Sequence, residues 1–246
     1  MRPLVAQVGT ETYMTLRRGE TLLLTVGIPV VFLVFFSTVH VGLTGRGTPA
    51  TFFVPGILAL AVMSTAMVSL GIATGFERGY GVLKRLGSTP LGRSRLLGAK
   101  ITTILLVELV QAIVLVPVGV GLGWQPAGHA AAGPAAAGAL GVALLATVAF
   151  GGLGLFFAGV LRAELNLAAA NGLYLVLLLL GGMVVPLYRL PGALADVARA
   201  LPAAALAQGL HGSLGVGTGV PVESWVVLAA WAVVAPVAAA LTFRWE

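Results

Sequence analysis

The chain has 246 residues, of which 59% are apolar and 9% charged, and its mean hydropathy is +1.04. An average soluble domain carries about 25% charged residues, and a water-soluble core of this length cannot hide so much apolar surface, so the composition excludes a soluble enzyme or binding module and points to a membrane protein. The net charge of +6 does not indicate nucleic acid, because the bases cap apolar runs instead of lining a polar, aromatic-interleaved surface; with no cysteine, disulfides and thiolate chemistry are excluded as well.

In residues 1–20, Leu4, Val5, Val8 and Leu16 recur at helical spacing with Arg17 and Arg18 close behind, which suits a short helix lying in the inner membrane interface; Gly9 interrupts the pattern, and a partly disordered tail fits it equally well. Stretches of about 20 apolar residues then predict six membrane spans. They run over Thr21–Val41, Phe52–Phe76, Ile101–Trp124, Pro134–Leu161, Leu167–Tyr188 and Ser224–Phe243. The first is too long for the apolar part of a secretory signal and no small-residue cleavage site follows it, so it is expected to stay in the protein. In the second span Ala61, Thr65, Ser69 and Ala73 recur every four residues, as do Ala139, Ala143, Thr147 and Gly151 in the fourth, and Gly119 and Gly123 form a GxxxG in the third. Lipid removes the hydrophobic drive for helix pairing, so small residues that let backbones approach are the natural packing surface. Between the fifth and sixth spans, residues 190–214 carry Leu190, Leu194, Val197 and Leu201 in one helical register and Leu206 and Leu210 in another, punctuated by Pro191 and Pro202. Each piece is too short to cross and too apolar for a free loop, which predicts two short helices re-entering the outer leaflet.

Orientation follows from the connector between the second and third spans, residues 77–100. It holds Arg78, Lys84, Arg85, Arg93, Arg95 and Lys100, six of the fourteen basic residues. Placing it in the cytoplasm puts eleven basic residues inside and three (Arg46, Arg189, Arg199) outside, with both termini cytoplasmic. Gly87–Ser88–Thr89–Pro90 ends one helical piece and redirects the chain. A helix over Gly79–Leu86 would turn Leu83 and Leu86 to the bilayer and Lys84 and Arg85 to lipid phosphate or an acidic partner; basic residues serving only as topology anchors fit the same pattern.

Catalytic motifs are missing. The nearest approach to a phosphate-cradling GxxxxGK[ST] loop, Leu97–Gly98–Ala99–Lys100–Ile101, lacks the first glycine and the hydroxyl residue. Asp196 is the only aspartate, and His40, His129 and His211 show no metal-ligand spacing. One acid falls inside a span: Glu108 is about 10 Å into the third helix, with Gln111 a turn deeper on the same face. An ionised carboxyl there costs about 2.5–3.5 kcal/mol to insert, so it should face the bundle or an aqueous cavity, as part of a substrate path or as an interhelical hydrogen-bonding group.

Glu77–Arg78–Gly79 followed by Leu83–Lys84–Arg85–Leu86, Thr89–Pro90–Leu91 and Gly98–Ala99–Lys100 resembles the membrane subunit of an ATP-binding-cassette exporter, the type 2 permease family of bacterial drug and glycolipid export systems. The likeness extends more loosely, through topology, over the whole chain. It implies an all-α permease of six spans in the cytoplasmic membrane, a second permease subunit of the same or a related chain, and a cytoplasmic ATPase subunit that holds ATP and Mg, with no cofactor bound by this chain. It also implies that Glu77, Arg78, Leu83, Lys84, Arg85, Thr89 and Pro90 couple the permease to the ATPase. A proton-coupled carrier titrating Glu108 and a non-transporting membrane scaffold are the alternatives; no paired interrupted helices of the kind such carriers show are evident.

Overall fold

The computed structural model describes residues 9, 19–39, 48–83, 93–125 and 132–243, and within them all regular structure is helical. The helices are α1 (Gly19–Thr38), α2 (Pro49–Gly79), α3 (Arg93–Gly121), α4 (Ala132–Val160), α5 (Ala163–Leu180), α6 (Gly192–Arg199), α7 (Pro202–Leu210) and α8 (Val222–Thr242). Five of them, α2, α3, α4, α5 and α8, are long and apolar enough to cross a membrane. The described apolar part of α1, Leu23–Thr38, is shorter than that. The expected interfacial segment 1–20 lies outside the described residues except for Gly9 and the start of α1.

Several boundaries differ from the sequence reading. The fifth span was expected to reach Tyr188, but α5 stops at Leu180: Gly182 takes a left-handed φ of +73°, and the chain continues through Pro186 into a single 3-10 turn, Leu187–Arg189. Hydropathy alone does not see this break, because Met183, Val184 and Val185 are as apolar as the helix before them. The expected helix over Gly79–Leu86 is also interrupted, since α2 ends at Gly79 and Gly81 has φ +70°, with helical conformation resuming at 82–83. At its start α3 extends back to Arg93, into the basic connector that an apolar window does not include. Two short helices do occupy the segment before α8: α6 and α7 meet at Leu201–Pro202, proline standing at the first position of α7, where its missing N–H is harmless.

The long helix α4 is the centre of the bundle, packing on α8 along much of its length and also on α2, α7 and α5. Met63, Met67, Phe150, Leu206 and Leu228 fill this core. A second cluster, Leu33, Phe53, Ile57, Leu115 and Trp124, joins α1, α2 and α3 toward the C-terminal end of α3, where the Trp124 indole donates to the Leu214 carbonyl at 3.1 Å. The helices α2 and α4 approach closely through glycines. A Cβ placed on Gly154 would stand 2.5 Å from the Met67 carbonyl oxygen, which leaves room only for glycine, and one on Gly71 would stand 3.0 Å from Gly154 Cα, a contact the neighbouring backbone would have to yield to.

Of the four-residue stripe in α2, Ala61 and Thr65 are buried, Ser69 is half-buried and Ala73 is exposed. Ser64–Ser69 is a π-helical segment, and its wider turn rotates the following residues about the axis, so the four do not share one face. In α4, Ala139, Thr147 and Gly151 are buried and Ala143 half-buried.

Candidate functional site

Two groups of polar side chains lie inside this apolar bundle. The first is at the connector end, where α2 and α4 finish and α3 and α5 begin. Lys100 Nζ lies 2.7 Å from Glu77 Oε2, with the lysine side chain 5% exposed and the glutamate 33% exposed. The contact is ionic and not a well-aligned hydrogen bond. Next to it, Arg78 sends its guanidinium across to the end of α4, donating to the Leu161 carbonyl at 2.6 Å and to the Gly159 carbonyl. These are orphan acceptors at a helix C-terminus, and a planar cationic donor satisfies two of them while complementing the negative end of the helix dipole. From the first turn of α5, the buried Asn166 donates its Nδ2 to the Gly71 carbonyl at 2.8 Å, and a Cβ on Gly75 would sit 2.4 Å from that nitrogen. Together the contacts bind α2 to α3, α4 and α5 within a few turns of the connector.

Glu77 and Arg78, read from sequence as coupling residues, are therefore engaged within the bundle, and Leu83 is buried. Lys84, Arg85, Thr89 and Pro90 lie outside the described residues.

The second group is deeper. Glu108 Oε2 accepts from Thr147 Oγ1 at 2.7 Å, linking α3 to α4, while its Oε1 is buried with no hydrogen-bond partner among the described residues. One turn on, the buried Gln111 accepts from Thr65 at 3.2 Å through Oε1 and donates from Nε2 to the Thr25 carbonyl at 2.9 Å, joining α3 to α2 and α1. Thr65 belongs to the π-helical segment, so the irregular turn of α2 presents its hydroxyl to this layer. Every polar partner is on a different helix, which is how side-chain hydrogen bonds act between helices in lipid. Among the described residues no group of three or more His, Asp or Glu side chains is placed to hold a metal ion.

The sequence matches the ABC-2 type transporter family over residues 7–214. The chain belongs to that family. No individual curated protein matches it. Within this ABC-2 type transporter protein the matched region takes in the basic connector, both polar groups and helices α1 to α7, stopping before α8.

Sequence reasoning missed two contributors. Asn166 lay one residue before the expected fifth span and was not singled out, yet an amide at the start of a span, facing a glycine-lined neighbour, is a recognisable hydrogen-bonding residue. Thr147 was read only as a small packing residue, although its hydroxyl is the partner Glu108 requires.

Proposed function

We propose that this chain is the permease subunit of an ATP-driven exporter, with α1 as a sixth span, both termini in the cytoplasm and a second permease subunit beside it. A separate cytoplasmic ATPase subunit supplies ATP binding and hydrolysis, and the cargo is a hydrophobic or amphipathic molecule, a drug, lipid or glycolipid, entering from the bilayer. The observation that carries the reading is the family match across residues 7–214. The connector between α2 and α3 is the natural point of attachment: it is strongly basic, and at both its ends the bundle is tied by Glu77, Arg78 and Lys100. Force applied there reaches four helices together, so approach of two ATPases would rock whole bundles and open a path between them. Glu108 and Gln111 border that path in this reading.

The test is co-purification of the ATPase with the permease, then export from reconstituted vesicles, with Lys84→Glu and Arg85→Glu combined. Reversal adds repulsion at a docking surface, so export should fall well below wild type while the protein still inserts. Arg162→Gln in the short α4–α5 turn should have a smaller effect on docking. Normal insertion, ATPase binding and wild-type export by the double reversal would sink the coupling assignment. Export driven by a proton gradient without ATP would favour a carrier instead, and failure of any ATPase to associate would favour a scaffold.

A further inference from the structure

Helix α2 changes partners half-way along. Both halves touch α4, but the outer half, Pro49–Met63, otherwise packs mainly on α1, α3, α7 and residues 211–216, and the connector half, Leu70–Gly79, mainly on α5. Asn166 of α5 ties itself to that second half through the Gly71 carbonyl at 2.8 Å. The change of partners falls at the π-helical turn Ser64–Ser69.

In this turn the Leu70 N–H reaches the Thr65 carbonyl, five residues back, so the turn holds one residue more than an α-helical turn would. One residue is worth about 100° of rotation in an α-helix. The extra residue therefore sets the phase between two halves whose packing faces are fixed by different neighbours. It is not chemically bound to one place. Each backbone hydrogen bond given up on one side of it is remade on the other, so it can move along the helix, turning the residues it passes while both ends stay helical and their N–H and C=O groups stay paired.

The surroundings suit such movement. On α4 the turn meets Gly154, which lies against the Ala66 and Met67 carbonyls, so no side chain of α4 interlocks with it at that contact. Within the turn the residues are small apart from Val68 and Met67, the latter an unbranched, adaptable side chain. One clamp holds the turn where it is: Thr65 Oγ1 donates to Gln111 Oε1 at 3.2 Å, and Gln111 is itself held by the Thr25 carbonyl at 2.9 Å. Hydroxyl hydrogen bonds are usually about 2.7–2.8 Å long, so the clamp is a light one.

We propose that Ser64–Ser69 is a swivel in α2, a movable extra residue that lets the connector half of the helix, with the α5 tied to it, turn about the helix axis while the outer half stays docked, and that the Gln111–Thr65 hydrogen bond sets its resting position. The swivel belongs to the helix itself and does not depend on the export reading or on what partner acts at the connector.

Single-residue deletions and hydrogen exchange on the purified full chain in mild detergent test it. Deleting Ser69 removes the extra residue and closes the turn into a continuous α-helix with both halves in register, so the protein should keep its monodisperse peak in size-exclusion chromatography. Deleting Leu58, within the regular outer half, throws the core residues Ala59–Met63 out of register and should abolish that peak. By mass spectrometry, wild-type amides 66–71 should exchange about tenfold or more faster than the equally buried 56–62, as a locally opening turn requires. Deletion of Ser69 should remove that difference. Gln111→Leu, which leaves the chain length alone, should speed exchange at 66–71 by about fivefold, the factor one neutral hydrogen bond is worth, and leave 56–62 unchanged. Loss of the peak on deleting Ser69 as complete as on deleting Leu58 would overturn the swivel. So would equal exchange of the two stretches in the wild type, or no change at 66–71 in Gln111→Leu, whatever the export experiments give.

Discussion

Removing either member of the Glu77–Lys100 pair should have unequal consequences. In Glu77→Gln the lysine ammonium stays where it is, with its side chain 5% exposed, and loses its 2.7 Å counter-charge. In Lys100→Met the glutamate is the survivor, and with a third of its side chain exposed it can be hydrated. Breaking a fully buried ion pair by deleting one partner costs about 3–5 kcal/mol, chiefly for the stranded charge. Because Glu77 is partly exposed and Lys100 has further interactions, the expected losses are smaller, about 2–3 kcal/mol for Glu77→Gln and about 1 kcal/mol for Lys100→Met. For a chain of this size each kcal/mol moves the melting point by about 2–4 °C. A fluorescence-monitored thermal scan in mild detergent should therefore show Glu77→Gln melting roughly 4–12 °C below wild type and Lys100→Met about 2–4 °C below. Adding Lys100→Met to Glu77→Gln should recover part of the loss, since the stranded ammonium is then gone. A Lys100→Met loss equal to or greater than that of Glu77→Gln would refute the reasoning, for it would mean that the carboxylate, not the ammonium, is the group that cannot live alone.

Glu108→Gln should leave the melting point within about 2–4 °C of wild type, because the amide oxygen still accepts from Thr147 and a neutral hydrogen bond contributes only about 1 kcal/mol; export rate or selectivity should change instead, and unchanged export at normal expression would reduce the residue to an interhelical tie. Gly154→Val should prevent stable assembly, read as loss of the monodisperse peak in size-exclusion chromatography, since its Cβ would meet the Met67 carbonyl oxygen at 2.5 Å. Gly172→Ala, where nothing lies within 4 Å, is the control and should be neutral or gain up to about 1 kcal/mol from helix propensity. Cysteines placed singly in this cysteine-free chain should react with an impermeant thiol reagent on intact cells at positions 128 and 218 but not at 93 and 95, and the opposite pattern would invert the topology.

What could be read from the sequence was whatever depends on local composition. The long apolar helices announce themselves because about twenty consecutive apolar residues have no other comfortable arrangement, and the two short helices before α8 were legible from Pro202 and the leucine spacing around it. Irregularities of the backbone were not. The π-helical segment at Ser64–Ser69 has no signature in a run of small residues, and it is what turns Ala73 out of line with Ala61. Gly182 ends α5 inside an apolar run because of its conformation, which hydropathy does not encode. Long-range partners were the other blind spot. Nothing near Glu77 or Arg78 in the chain announces Lys100, Gly159 or Leu161, so the contacts these two residues make with neighbouring helices could not be foreseen. Glu108 stood out by its cost in lipid, whereas Thr147, 39 residues away, did not.

The glycine contact between α2 and α4 also has a mechanical side. Dispersion between backbones falls off within about an ångström of separation, so a seam with Gly71 and Gly154 at its closest point resists parting far more than one of long, adaptable side chains. On the other flank of α4, a Cβ on Gly152 would fall 2.5 Å from the Pro236 nitrogen, giving α8 the same kind of hard contact. Three helices are thus pinned to one another at hard backbone contacts, so displacement arriving at one of them moves the others at those points, while the methionine and leucine side chains around the contacts take up the smaller adjustments.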